Sequence, residues 1–433
     1  MTISSSMNAG VAGLNVNAGK LATISDNIAN AGTYGYKRVE TEFASLVTGA
    51  AAGRYSAGGV TGRSIRAISE EGSLVTTGNA LDVAVAGRGM LPVRPLEAAE
   101  NGGSEMLLTA TGSFSPDRNG LVRNASGFAL LGWPVDASGV TAMRPRDSAA
   151  GLEPVRVGTG EIAASPTTAM TLGVNLPAEE TAAGASGAAL SVPVEYFDNL
   201  GASQTLRATF TPTVPATGAS NSWTLSIDDS ATDPASNPIA ELELTFDDTR
   251  GAGGSLLTVT PLSGAAYDPA TGVAQVTVGG GSMDLRLGPV GGESALTQLA
   301  ADFAPTGVVK DGNAAGILTG LEFDEQGYML GIYDSGFRRR LYQIPVADVA
   351  NPNGLEMRGG QTFAVTRESG DFYLWDSGDG PAGDLTAYAL EESTTDLATE
   401  LTSLIQTQRA YSSNAKVIQT VDEMLQETTN IKR

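Results

Sequence analysis

Residues 396–426, DLATELTSLIQTQRAYSSNAKVIQTVDEMLQ, decide the fold of this chain. Their apolar side chains recur every seven positions, which keeps them on one side of a helix. A second row, Leu401, Gln408 and Ala415, follows three of these positions at a distance of four residues. The seven-residue repeat consists of Leu397, Leu404, Tyr411, Ile418 and Leu425. Neither Gly nor Pro interrupts residues 384–433, so a long helix is predicted there. A stripe this narrow suits packing against another helix.

The other end of the chain carries a similar stripe. Its members recur at alternating steps of four and three: Ile3, Met7, Val11, Leu14, Ala18, Leu21, Ser25 and Ile28. This spacing predicts a helix that ends near Asn30, because Gly32 and Gly35 follow it. Each terminal helix could dock on its own domain, pair with the other terminus or meet another subunit. Paired termini would make one stalk, which favours a self-assembling subunit.

Composition argues against an enzyme. The 433 residues contain neither Cys nor His, which excludes thiolate and imidazole metal ligands and every mechanism that needs an imidazole base or a thiol. We therefore predict no catalytic, cofactor or metal site.

Charge argues against nucleic acid and anionic membranes as partners. The formal net charge is −22, which repels both. Residues 147–302 hold 18 acidic and four basic side chains, whereas residues 1–70 hold six basic and four acidic ones. Such a chain is expected to associate through its ends. It lacks an apolar run of membrane-spanning length and a leader-like first segment, so neither membrane insertion nor a cleaved signal peptide is expected.

The order of patterns predicts a multidomain protein, with terminal helices paired as a coiled coil and mainly-β domains nested between them. Residues 1–30 and 385–433 would form the helical domain, and residues 31–72 a Gly-rich connector. Period-two patterns predict a discontinuous β domain at 73–145 and 307–384, with turns at 117–120, 326–327 and 335–336. Residues 146–306, richer in Ala, Gly, Thr and Pro, would form an inserted β domain.

Four segments together resemble the flagellar rod, hook and basal-body axial proteins of bacteria. They are LATISDNIANAGTYGYKR at 21–38, TTGNALDVAVAGRGMLPV at 76–93, TATGSFSPDRNGLVRNASGFALLGWP at 109–134, and the opening segment with its Gln-Arg-Ala-Tyr and Asn-Ala-Lys. The matching residues are Asn27, Asn30, Gly35, Lys37, Gln408, Arg409, Ala410, Tyr411 and Asn414. Met90-Leu91-Pro92 departs from the aromatic pair expected after the glycines. The large insert favours a hook subunit over the shorter rod members.

The resemblance implies a subunit that is exported by the flagellar export apparatus and polymerises with itself into a hollow, flexible tube. That tube would act as a universal joint and as a channel for exported subunits. Its partners would be the rod, the hook-filament junction proteins and the hook cap, and its location the basal body and hook at the cell surface. The subunit interface would use Met7, Val11, Leu14, Leu21, Ile28, Leu397, Leu401, Leu404, Tyr411, Ile418 and Leu425. The Gly-rich connector around 49–62 would be a flexible joint between layers.

Other interpretations stay open at this point. The chain could be a distal rod protein, or a secreted β-rich adhesin or cap protein that forms no tube. Gln408 and Arg409 could be an exposed pair rather than a subunit contact. Tyr34 and Tyr36 could simply close the helix end, and the arginines at 338–340 could be a solvated face of a hairpin.

Overall fold

The computed structural model describes residues 3–46, 58–100, 105–136, 139–158, 160–292 and 294–431. The chain divides into two compact units. Unit 1 comprises Met1–Thr159, Gly320–Ile332 and Arg338–Arg433, and unit 2 comprises Gly160–Thr319 and Tyr333–Phe337. Among the described helices, none has an apolar stretch long enough to cross a membrane.

The first part of unit 1 begins with a long helix followed by short strands. Its elements are α1 (Ile3–Ala29), β1 (Val39–Ser45), β2 (Val60–Arg66), β3 (Leu74–Thr76), β4 (Asp82–Ala86), β5 (Leu91–Pro95), α2 (Leu96–Glu100), β6 (Leu107–Thr109), β7 (Thr111–Pro116), β8 (Val122–Asn124), β9 (Phe128–Pro134) and β10 (Glu153–Pro154). β10 pairs with β9, and residues up to 158 therefore belong to unit 1, although the sequence placed the insert from residue 146.

Unit 2 consists of strands. They are β11 (Ile162–Ser165), β12 (Ala169–Pro177), β13 (Leu190–Phe197), β14 (Ser203–Pro212), β15 (Ser222–Asp229), β16 (Ala240–Phe246), β17 (Leu256–Ser263), β18 (Ala265–Asp268), β19 (Val273–Val278), β20 (Gly281–Arg286), β21 (Leu296–Leu299), β22 (Ala304–Lys310) and the first part of β23 (Asn313–Phe323). β13 to β17 form an antiparallel sheet in sequence order, and β12 is the centre of a second sheet that contains parallel pairs. Alternate residues of these strands are buried, and side chains from both sheets share one apolar cluster around Trp223 and Phe210.

The chain then completes unit 1. The remaining elements are β24 (Tyr328–Tyr333), β25 (Arg338–Gln343), β26 (Val346–Val349), β27 (Glu356–Gly359), β28 (Thr362–Ala364), β29 (Phe372–Trp375), β30 (Asp384–Ala387), β31 (Ala389–Glu391) and α3 (Leu397–Ile431). Late strands pair with early ones: β30 with β4, β31 with β3, β28 with β6 and β25 with β9. The predicted turns at Gly120, Gly327 and Gly336 are confirmed, and each of these glycines has a positive φ.

The predicted pairing of the two terminal helices is confirmed, as is the mainly-β character of the rest. α1 ends at Ala29, close to the predicted Asn30. The pair is antiparallel, since Gly10 lies against Ile418 whereas Asn27 contacts Glu400.

The C-terminal helix begins later than predicted. Residues 385–387 lie in β30 and residues 389–391 in β31 rather than in a helix, because pairing with β4 and β3 overrides a helix-compatible sequence. α3 begins after Asp396, whose carboxylate accepts the Thr399 backbone N–H at 2.6 Å and caps the helix. This bond lowers the pKa of Asp396.

The predicted connector at 31–72 contains a β-hairpin. β1 and β2 pair from Val39–Arg66 to Ser45–Val60 and lie on α1. A Cβ on Gly62 would come within 2.6 Å of Val16 Cγ1, so Gly62 permits close packing rather than acting as a joint. Gly49 and Gly53 of the proposed joint lie outside the described residues.

Candidate functional site: the paired terminal helices

The seam between α1 and α3 is built from small residues. A Cβ on Gly13 would lie 2.8 Å from Asn414 Nδ2, and one on Gly10 would lie 3.2 Å from Ile418 Cγ1. Both glycines are buried. Small side chains let two helix backbones approach closely, and here they leave room for the larger residues of α3.

On α3, the face toward α1 is also partly polar. Glu400, Thr407 and Val421 are its buried residues, and half-buried Asn414 lies in the same seven-residue series. This series stands three residues after the predicted apolar repeat. The second row of the predicted stripe stands four residues after that repeat, at Leu401, Gln408 and Ala415. The seam therefore uses a neighbouring row of α3.

The predicted apolar stripe lies mostly outside the seam. On α1, Met7 and Val11 are exposed, and Leu14, Leu21 and Ile28 are half-buried. On α3, Leu397, Leu401, Tyr411 and Leu425 are exposed, Leu404 is half-buried, and half-buried Ile418 lies in the seam against Gly10. The single chain thus leaves most of this stripe open to solvent.

α1 has three distinct sides. Gly10 and Gly13 face α3, while Ala12 and Val16 face the β1–β2 hairpin. On an α-helix of 3.6 residues per turn, the predicted stripe falls roughly a quarter turn from the α3 side, on the opposite flank from the hairpin. That third side is the open apolar one.

A buried polar cluster fixes the base of the helix pair, and we call it the polar junction; its members are Asn27, Tyr36, Lys37, Glu391 and Glu400. Asn27 Nδ2 donates to Val39 O at 2.9 Å and to Glu400 Oε1 at 3.1 Å, while Val39 N–H donates to Asn27 Oδ1 at 2.8 Å. One side chain thereby joins α1, β1 and α3.

Lys37 and Glu391 form the buried ion pair of the junction. Lys37 Nζ lies 2.7 Å from Glu391 Oε1, and each side chain is 4% exposed. Lys37 also donates to Glu70 O at 2.6 Å, and Gly72 N–H donates to Glu391 Oε1 at 2.6 Å. These bonds satisfy groups that would otherwise be costly to bury.

Tyr36 closes the end of α1, which is one of the alternatives that the sequence leaves open for Tyr34 and Tyr36. Its ring is buried, and its hydroxyl lies 3.0 Å from Asp26 Oδ2 and 3.1 Å from Asn27 Oδ1. Burial, followed by the hydrogen bond to Asp26, raises the pKa of Tyr36. Tyr34, by contrast, is exposed.

The other motif residues lie partly at the base of the pair and partly along α3. Gly35, with φ +70°, donates its N–H to Glu391 O at 2.8 Å, and Asn30 bonds back to Asp26. Gln408, Arg409 and Ala410 are exposed. Gly10, Gly13, Glu391 and Glu400 are not among the residues predicted from the sequence; the spacing of the two glycines is a signal for them, whereas the two glutamates carry none.

Nothing in the described part of the site suggests chemistry. No group of three or more acidic side chains capable of holding a metal occurs within those residues. What the helix pair offers is a rigid base and an open apolar flank.

Comparison with protein families gives three matches along the chain. Residues 7–37 match the flagella basal body rod protein family, residues 167–313 the flagellar basal body protein FlaE D2 domain, and residues 386–431 the flagellar basal body rod FlgEFG protein C-terminal family. The two terminal matches cover α1 with the junction and α3.

Curated relatives match along the whole chain. The flagellar hook proteins FlgE of Brucella suis and Rhizobium meliloti are each 34% identical, with all of both chains covered. That of Salmonella typhimurium is 27% identical over 98% of each chain. Among solved structures, Helicobacter pylori flagellar hook protein FlgE2 aligns with a TM-score of 0.49 and 12% identity, covering 73% of this chain and 100% of its own.

Proposed function

The chain belongs to the flagellar hook protein family, and from that premise we propose that it is a structural, non-enzymatic subunit of the bacterial flagellar hook that polymerises with copies of itself. The hook is favoured over the distal rod because the full-length relatives are hook proteins and because a D2 domain matches within unit 2. The proposed polymer is a hollow tube that bends while it transmits torque and passes exported subunits.

The open apolar flank of the helix pair is the observation that carries the proposal. Met7, Val11, Leu397, Leu401 and Tyr411 are exposed in the single chain. Half-buried Leu14, Leu21, Ile28 and Leu404 continue the row between them, and an apolar row of this kind marks a surface that another molecule covers. A copy of the same helix pair presents the same apolar row and is therefore a complementary occupant for this surface.

The mechanism we infer separates cohesion from bending. Interdigitated apolar side chains on neighbouring helix pairs resist sliding and hold the tube together, while the polar junction keeps each pair at a fixed orientation on its β strands. Unit 2 carries 18 acidic and four basic residues, and a polar, solvated surface of this kind permits contacts to shift as the tube bends.

The remaining parts of the proposal follow from hook identity. The tube would join the rod at one end and hook-filament junction proteins at the other. Subunits would reach the growing tip through the flagellar export apparatus and add beneath a hook cap. The assembled protein would lie in the basal body and hook at the cell surface.

A charge placed on the open flank tests the central claim. We expect Leu401→Asp to abolish tube formation, since a subunit contact there would bury an unpaired carboxylate. Leu299→Asp in unit 2 is the matched control, because both leucines are 49% exposed. Electron microscopy of concentrated protein should show regular hollow tubes for the wild type and the control.

The same experiment can reject the proposal. Normal tubes from Leu401→Asp would show that the flank is not the subunit contact. Wild-type protein that stays monomeric at every concentration would instead fit a non-polymerising adhesin. Circular dichroism of all three proteins checks that the substitutions leave the fold intact.

A further inference from the structure

Unit 1 contains a cleft that is lined by residues outside the helix pair. Its volume is about 540 Å³, and it opens between the chain that follows β9 and the strands of the same unit. We call it the donor cleft and define it by Trp133, Thr141, Arg144, Arg146 and Tyr328. Its volume falls within the range typical of ligand pockets.

Three buried polar atoms of the donor cleft lack a hydrogen-bond partner among the described residues. Trp133 Nε1 and Arg144 Nε are buried donors without a partner among the described residues. Thr141 Oγ1 is a third buried atom that lacks a hydrogen-bond partner there. Trp133 is 2% exposed. Unsatisfied buried donors are rare in folded proteins and require an explanation.

The one carboxylate in the wall is engaged by other donors. Asp376 receives Arg146 Nη1 at 2.9 Å and Nη2 at 2.7 Å, and Gln343 Nε2 at 2.9 Å. Arg146 also lies over the Trp133 ring, with 5.3 Å between Cζ and the ring centroid. Within the described residues, no acidic side chain forms an ion pair with Arg144.

The surroundings of the cleft favour a protein as the occupant. Val140 and Met143 project from its rim as exposed apolar side chains, and Arg340 stacks on Tyr328 at 4.1 Å. Trp, Tyr, Met and Arg are the residue types enriched where proteins bind one another. A small free anion would not need the apolar rim.

The charge of the molecule identifies the partner. Arginines are concentrated here on a chain with a formal net charge of −22, and unit 2 holds 18 acidic and four basic residues. We propose that the donor cleft receives an acidic loop from unit 2 of a second copy of this chain. The inference rests on the proposed polymer and adds to it a polar contact, distinct from the apolar flank, that sets the register between neighbours.

Crosslinking tests the identity of the occupant directly. Met143 is fully exposed, so p-benzoylphenylalanine can replace it without loss of internal packing. Tubes made from equal amounts of ¹⁴N- and ¹⁵N-labelled full-length protein are irradiated, digested and analysed by mass spectrometry. We expect mixed-isotope crosslinks to acidic segments within residues 160–319. Crosslinks that stay within one chain, or that reach α1, α3 or other parts of unit 1, overturn the proposal.

Charge reversal tests the role of the unpaired arginine. Arg144→Glu should raise the critical concentration for polymerisation about tenfold, since like charges would then meet across the contact. Arg144→Lys keeps the charge and should stay within about threefold of wild type. Arg118→Glu, at an exposed arginine of the same unit, is the control for net charge.

The outcomes separate the two proposals. If Arg144→Glu polymerises as well as Arg118→Glu, the cleft proposal is wrong, while tubes of both variants still support the hook function. If wild-type protein forms no tubes, the hook function fails, and the cleft proposal fails with it. Thermal melting of each variant identifies any loss of folding, in which case Arg144→Lys and the crosslinking result decide.

Discussion

The ion pair between Lys37 and Glu391 is a single contact with a large expected effect. We predict that Lys37→Met lowers the free energy of unfolding of unit 1 by about 3–5 kcal/mol, because it leaves Glu391 buried without its counter-charge. Arg63→Met is the comparison, since Arg63 and Glu368 form an exposed pair whose loss should cost at most about 1 kcal/mol. Urea unfolding at neutral pH measures both; equal losses would show that the junction tolerates an unpaired carboxylate.

Asp229 has a comparable role inside unit 2. It is buried, accepts the Tyr196 hydroxyl at 2.7 Å and Thr232 Oγ1 at 2.6 Å, and accepts N–H groups from Gly279 and Ala231. Burial acts to raise the pKa of Asp229, but these hydrogen bonds together outweigh it and lower the pKa below its ordinary 3.8. The Tyr196 pKa is raised by its burial and by the same contact.

The sign of the pKa shift sets a pH prediction for Asp229. A carboxyl group whose pKa is lower in the folded than in the unfolded state stabilises the fold at pH values above its unfolded-state pKa. This stabilisation is lost as the pH falls through its folded-state pKa. Asp229→Asn should therefore cost about 2 kcal/mol at pH 7, with the difference from wild type shrinking below pH 3.8. Urea unfolding of both proteins from pH 7 to pH 2.5 checks this; a gap independent of pH would contradict it.

At the scale of elements, the helix seam depends on glycine. Gly13→Val should separate α1 from α3 and destabilise their pairing by about 1–3 kcal/mol, because the new side chain meets Asn414. Gly19→Val on the same helix is a matched control, since a Cβ there has no neighbour within 4 Å. Hydrogen exchange of α1 and α3 in the two variants reports the difference, and indistinguishable rates would argue against a close seam.

The sequence predicted the existence of both helices and the apolar stripe, but not the side by which the helices meet. Apolar periodicity detects only apolar rows, so it found Ile418 but not Gly10, Gly13 and Asn414, which pack in the same seam. The sequence predicts helix rather than β31 at Ala389–Glu391 because this segment has no strand signature of its own; its pairing with β3 and the burial of Glu391 decide its structure. The hairpin turns are predictable because each requires a residue with positive φ, and glycine adopts that conformation readily for lack of a Cβ.

At the scale of the whole molecule, the two units should respond differently to assembly. We expect amides of α1 and α3 to exchange faster in dilute monomer than those of β14 to β16, whose sheet encloses a large apolar cluster. Polymerisation should slow exchange in the helices and leave these strands unchanged. Hydrogen exchange with mass spectrometry compares monomer and tubes, and helices with the same rates in both states would exclude them as the subunit contact.

The Lys37–Glu391 bond joins residues 354 positions apart, and this separation governs when it can form. A chain that emerges from its N-terminus first must wait for nearly all of its length before Glu391 can reach Lys37. Contacts between such distant residues form slowly, because closing a long loop costs entropy before any contact compensates for it. We therefore expect the helix pair to be the last part of the subunit to fold, so that its adhesive flank is completed only when the β strands beside it are already in place.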